Sequence, residues 1–73
     1  MLSNKTFAKD VADLLLEYSN RLDGSVAHAK EVCSDAEFLA YRRAVGEVMG
    51  EMWDQLLSPI FTAYPDLKPK DQA

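Results

Sequence analysis

Apolar residues recur every three or four positions along the first half of the chain, which is the spacing of one face of an α-helix. The set comprises Phe7, Val11, Leu14, Leu15, Tyr18, Leu22, Val26, Ala29 and Cys33. The opposite face carries the charged residues Asp10, Asp13, Glu17, Arg21 and Glu31. This pattern predicts a first helix from about residue 4 to residue 33.

The Asp23-Gly24-Ser25 stretch is the one possible break in that helix, because Asp-Gly is a turn signal. In one interpretation the helix ends at Gly24 and a short helix restarts after a Ser25 cap. In the other a single helix continues through the glycine. The apolar positions beyond Gly24 return to the same stripe without a slip in phase, so we favour the continuous helix, in which Gly24 points outward.

A second helix is predicted from about residue 35 to residue 57. Ser34 and Glu37 have the spacing of a capping box, in which the serine hydroxyl and the glutamate carboxylate each bond the other residue's backbone amide. The connection to the first helix is very short. Short connections make consecutive helices antiparallel neighbours, so we expect a helical hairpin.

The end of the second helix is marked by Ser58 and Pro59, since serine can cap a helix and proline suits a first helical position. We therefore expect a short third helix from about residue 59 to residue 64. Tyr64-Pro65 should end it, because a residue before proline avoids helical geometry. Residues 65–73 then form a tail in which Leu67 can fold back.

The apolar arc of the second helix is unusually wide. Its main stripe comprises Phe38, Tyr41, Val45, Val48, Met49, Met52, Trp53 and Leu56. Leu39, Gly46, Gly50 and Leu57 extend the stripe along one edge. The arc then covers about 200°, whereas a surface helix needs about 100°. The first helix can cover only part of this arc, and the glycine edge with Trp53 should stay uncovered.

Two glycines four residues apart leave a flat strip where another backbone can come close, although each costs about 1 kcal/mol in a helix interior. We predict a homodimer in which two hairpins form a four-helix bundle. The predicted interface residues are Leu39, Arg42, Gly46, Met49, Gly50, Trp53 and Leu57. In the alternative interpretation, the glycines face the first helix within a monomer or are merely tolerated. Arg42 either pairs with a carboxylate across the dimer or extends into solvent.

Size and composition agree with self-association. A single domain of 73 residues buries only about 60% of its unfolded surface and usually needs an additional stabilising element. Cys33 is the only cysteine, so an internal disulfide is excluded. The net charge of −4 argues against nucleic-acid binding. Short apolar runs exclude a membrane span, and a lone thiol without an export signal predicts a cytoplasmic protein.

No catalytic constellation is present, so we expect no enzyme activity, no cofactor and no metal site. Glu47, Glu51 and Asp54 are expected to form a solvated face, with Glu47 paired to Arg43 one turn away. His28 is expected to point outward without an orienting partner. Cys33 is expected to pack as a small apolar residue at the end of the first helix.

The stretch from Tyr41 to Pro69, YRRAVGEVMGEMWDQLLSPIFTAYPDLKP, resembles a family of short, uncharacterised bacterial proteins. The shared pattern is Tyr-Arg-Arg, a glycine pair, a Pro-Ile step and a closing Pro-x-Leu-x-Pro. The resemblance covers under half of the chain and carries no known chemistry. It implies a bacterial, cytoplasmic origin.

The sequence thus predicts an all-α hairpin with a short third helix that dimerises and acts without catalysis. Two other functions are kept as alternatives. The first is a monomeric adaptor that binds a partner helix in a groove of methionine, tryptophan and glycine. The second is a small bundle that binds a metal or another ligand.

Overall fold

Two long antiparallel helices and a short third one make up the chain in a computed structural model, which describes residues 2–69. Helix α1 spans Lys5–Val32 and helix α2 spans Asp35–Met52. A π-helical turn over Trp53–Leu57 leads into α3, Ser58–Ala63, and a 3₁₀ turn follows over Pro65–Leu67. No strand occurs within residues 2–69, so the all-α prediction is confirmed for them.

Helix α1 runs through Gly24 without a break, as the phase of the apolar stripe predicted. Asn4 caps its start, because the Asn4 side-chain oxygen accepts a hydrogen bond of 2.9 Å from the Phe7 amide. Ser25 does not cap a second helix. Its hydroxyl donates to the Leu22 carbonyl at 2.6 Å and lies 2.7 Å from the Tyr41 hydroxyl on the neighbouring helix.

The predicted capping box at the start of α2 is confirmed. The Glu37 amide donates to the Ser34 hydroxyl at 3.2 Å, and the Ser34 amide donates to the Glu37 carboxylate at 3.1 Å. Hydrogen bonds from the Ser34 amide and hydroxyl lower the pKa of Glu37, because they favour the charged carboxylate. The box fixes the reversal between α1 and α2.

The prediction that Ser58 caps a new helix is wrong. Ser58 keeps helical geometry, with φ −60° and ψ −47°, and its amide donates to the Trp53 carbonyl. This bond spans five residues instead of four, which is the bonding of a π-helix. Pro59 follows directly, and it has no N–H to give to an α-helical bond with the Gln55 carbonyl. The chain therefore widens for one turn and stays helical.

The π turn corrects the phase of the apolar stripe. On a regular α-helix, Leu57, Ile60 and Phe61 would lie about 100° away from the side of α2 that buries Val45. The extra residue in the widened turn rotates these three side chains back towards α1. A one-residue mismatch in the apolar pattern is thus absorbed by the backbone.

The main core lies where the start of α1 meets α3. It is formed by the buried side chains of Ala8, Ala12, Leu57, Ile60 and Phe61. Short alanine side chains on α1 let the π turn and α3 approach closely, since interhelical distance depends on the side chains at the contact. The half-buried residues around it are Leu2, Val11, Leu15, Leu16, Tyr64 and Leu67.

The C-terminal segment folds back onto this core. The Tyr64 hydroxyl donates a 2.9 Å hydrogen bond to the Leu2 carbonyl, and Leu67 packs against the core as predicted. An exposed ion pair joins Lys5 to Asp66, and the hydrogen bond from Lys5 lowers the pKa of the Asp66 carboxyl. Residues 70–73 of the predicted tail lie outside the described residues.

Candidate functional site

One uncovered surface is the predicted edge of α2, which we call the glycine edge: Leu39, Arg42, Gly46, Gly50 and Trp53. Leu39 is 58% exposed and Trp53 is 36% exposed. A Cβ added to Gly46 or Gly50 would meet no atom of residues 2–69 within 4 Å beyond the backbone of its own helix. The interpretation in which these glycines pack against the first helix is therefore wrong. Arg42 is exposed beside them.

Leu57 does not belong to this edge, although the sequence placed it there. It is only 2% exposed and lies in the main core. The reason is the π turn, which rotates Leu57 from the edge of α2 towards α1. Met49, also predicted as an interface residue, is half-buried between the two helices.

A groove of about 430 Å³ runs beside the glycine edge, between α1 and α2. Its lining residues are Leu16, Ser19, Asn20, Asp23, Met49, Trp53, Leu57 and Pro69. The Trp53 ring packs against Phe61, with centroids 5.8 Å apart and planes tilted by 58°. Phe61 therefore covers one side of the indole ring, and the other side is exposed.

A second uncovered surface, on the other side of the hairpin, was not predicted. We call it the tyrosine face, and it consists of Phe7, Leu14, Tyr18, Val32, Tyr41 and Val48. Six of the eight large apolar side chains that stay exposed among the described residues belong to it. Its exposed apolar surface therefore exceeds that of the glycine edge.

The hydrogen bond between Ser25 and Tyr41 shows that these residues share one side. Ser25 lies seven residues beyond Tyr18 and eighteen beyond Phe7, which are close to whole numbers of helical turns. Val48 likewise follows Tyr41 by seven residues. Ser25, Val32 and Tyr41 also line one shallow apolar depression of about 250 Å³.

The apolar periodicity does not predict this face, because it assigns Phe7, Leu14 and Tyr18 to the stripe that packs on α2. The buried side of α1 is instead centred on small residues: Ala8 and Ala12 are buried in the main core. A signal was present in the sequence. Alanines at positions 8 and 12 mark a second line at helical spacing, on which a neighbouring helix can pack closely.

Among the candidate chemical groups, His28 and Cys33 line the same shallow depression, and Glu47 is not among its lining residues. His28 is exposed, with its Nδ1 atom 3.8 Å from a Glu31 carboxylate oxygen, and Arg43 lies 3.6 Å from Glu47 as predicted. Cys33 is exposed, so the prediction that it packs as an apolar residue is wrong. The chain leaves α1 at Cys33 with extended geometry, and Cys33 lies at the rim of the shallow depression that Tyr41 also lines.

Residues 2–69 contain neither a cluster of metal ligands nor a helix that could cross a membrane. No group of three or more histidine, cysteine, aspartate or glutamate side chains is placed to hold a metal ion. No helix of this part of the chain combines the length and the apolar character that crossing a membrane requires.

Alanine at Gly46 or Gly50 should stabilise the protein, because each glycine faces open space in a helix interior. We expect a gain of about 1 kcal/mol in the free energy of unfolding for each substitution, which is roughly 4–8 °C in melting temperature. Gly24→Ala on α1 is the matched control, since Gly24 also faces open space. A melting temperature that falls for Gly46→Ala and Gly50→Ala but rises for Gly24→Ala would place another backbone against the glycine edge.

No known protein family, curated protein or solved structure matches this chain. The resemblance to short bacterial proteins stays a prediction.

Proposed function

We propose that this is a small non-catalytic protein that self-associates as a homodimer, with two hairpins packing tyrosine face to tyrosine face in a four-helix bundle. The observation that supports it is the concentration of exposed apolar side chains on that one side. Contiguous apolar surface of this kind is typical of protein–protein contact sites. In this arrangement α2 contributes Tyr41 and Val48 to the interface, and α1 contributes the remaining residues of the tyrosine face.

The dimensions of the hairpin suit such a contact. The molecule measures 45 × 21 × 19 Å, so one side offers room for the about 800 Å² per partner that a stable interface buries. A second copy would also add buried apolar surface to a protein whose own hydrophobic core is small. Seven hydrophobic residues are buried among the described ones, and three of them are alanines.

The glycine edge, which the sequence predicted as the dimer interface, is the second candidate. Open space around Gly46 and Gly50, next to the groove and the half-open Trp53 ring, favours a helix as its occupant. That helix would come from a second copy or from another protein. Fewer large apolar side chains lie on this edge, so we place it second.

A matched pair of substitutions distinguishes the two surfaces. Leu14 is 51% exposed on the tyrosine face and Leu39 is 58% exposed on the glycine edge. We expect Leu14→Gln to weaken self-association by at least about tenfold, because it removes apolar surface that the second copy would cover. Leu39→Gln should leave it unchanged. Light scattering coupled to size exclusion measures both, with circular dichroism to check helicity.

Other outcomes would contradict the proposal in distinct ways. A wild-type chain that stays monomeric at high concentration removes the homodimer altogether. A dimer that is lost with Leu39→Gln but kept with Leu14→Gln transfers the interface to the glycine edge. The melting temperature of a true dimer should also rise with protein concentration.

A reducing compartment is part of the same proposal. Cys33 is exposed and unpaired within the described chain, and such thiols persist where glutathione and thioredoxin keep them reduced. This supports the cytoplasmic location that the sequence predicted.

A further inference from the structure

We infer that the second copy docks antiparallel, with α1 of one copy lying along α1 of the other about a two-fold axis near Ser19. This inference rests on the proposed homodimer and adds its geometry. It follows from the charged residues that border the tyrosine face on α1. Those residues are Asp10, Glu17, Arg21 and His28, all of them exposed.

The four border residues are arranged symmetrically about position 19. Glu17 and Arg21 lie two residues on either side of it, and Asp10 and His28 lie nine residues on either side. A two-fold axis at this level brings Glu17 of each copy opposite Arg21 of the other. It also brings Asp10 opposite His28, so one carboxylate faces a cation and the other faces an imidazole that can donate a hydrogen bond to it.

The apolar residues agree with the same axis. Phe7 and Val32 lie near the two ends of α1, almost equally far from Ser19. Antiparallel docking therefore brings the ring of Phe7 near the Val32 side chain of the other copy at both ends. The contact then extends over the whole length of the hairpin and covers both ends of the tyrosine face.

Neither of the two other orientations pairs the opposite charges. Parallel docking of α1 on α1 places the charged borders of the two copies on opposite sides of the contact, so Glu17 and Arg21 do not meet. Docking of α1 on α2 brings Glu17 near Glu51, which lies one turn beyond Val48 on the border of α2. Like-charge contacts at an interface are repulsive, so the antiparallel arrangement is favoured.

Disulfide trapping at the border tests the orientation without altering the apolar face. One variant carries Asp10→Cys and the other His28→Cys, each with Cys33→Ser. We expect the mixture to form a disulfide between the two different chains. Each variant alone should form little, because identical positions lie about 27 Å apart along the axis at 1.5 Å per residue.

The outcomes separate this inference from the proposed function. Disulfides between identical chains would mean that position 10 or 28 faces its own counterpart, and this would overturn the inference. A dimer seen by light scattering that forms no disulfide in the mixture would also overturn it, while self-association itself would stand. A monomer in light scattering would overturn both.

Charge reversal gives an independent readout. Glu17→Arg and Arg21→Glu should each weaken self-association by roughly tenfold at low ionic strength, because each puts like charges against each other where positions 17 and 21 of the two copies meet. An equimolar mixture of the two variants should recover dimers, since positive side chains at positions 17 and 21 of one copy then face negative ones of the other. Tighter self-association of Glu17→Arg alone would indicate docking on α2 near Glu51 and overturn the inference.

Discussion

Leu57→Ala should lower the free energy of unfolding by about 2–5 kcal/mol, the range for removing a buried leucine side chain. Leu57 is among the most buried large residues of the described chain, and it contacts a core built around two alanines. Neighbouring short side chains can hardly move to fill the cavity. Denaturant unfolding followed by circular dichroism, at one fixed protein concentration, measures the loss.

Leu39→Ala is the control for this experiment, because Leu39 is the same residue type exposed on the glycine edge. We expect a change within about 0.5 kcal/mol, as for most surface substitutions. Equal losses for the two variants would place Leu57 in an intermolecular contact, as the sequence alone predicted. A small loss for Leu57→Ala would show that the π turn does not rotate it into the core.

Deletion of Gln55 should be tolerated, although it removes a residue from the middle of a helix. Without this residue a regular α-helix places Leu57, Ile60 and Phe61 in phase with Val45, so the π turn is no longer needed. Pro59 would then lie inside an α-helix, where it clashes with the preceding turn. The deletion is therefore made together with Pro59→Ala and compared with Pro59→Ala alone.

We expect this deletion to cost about 1 kcal/mol in the free energy of unfolding, because only the half-buried Leu56 turns outward. Deletion of Glu47 in the same background is the control. Removing Glu47 moves either Met49 and Met52 or the residues beyond the π turn away from α1. We therefore expect the free energy of unfolding to fall by about 2–5 kcal/mol. Equal losses for the two deletions would mean that the π turn does not arise from the apolar phase.

The local elements of this fold were predictable, because the signals for them lie within a few residues. Ser34 and Glu37 form their capping box through contacts across one helical turn. The continuity of α1 through Gly24 followed from the phase of the apolar residues on either side. The width of the apolar arc on α2 also predicted that Leu39 and Trp53 would stay uncovered.

The position of Leu57 could not be derived in the same way. A helical wheel assumes one angle per residue, so a single π turn invalidates it for every residue that follows. The apolar stripe contained the mismatch, since Leu57, Ile60 and Phe61 are out of phase with Val45. A cap at Ser58 was the other local solution, and only packing against Ala8 and Ala12 distinguishes the two.

The sequence by itself determined the helices, their short connection and the excess of apolar surface over what one hairpin can bury. Each of these depends on composition and on spacing along the chain. Only the tertiary structure decided which side of α1 is buried and therefore where Phe7, Leu14 and Tyr18 point. The physical reason is that apolar residues cover a wide arc of each helix, so periodicity allows several orientations. Close packing at two alanines selects one of them.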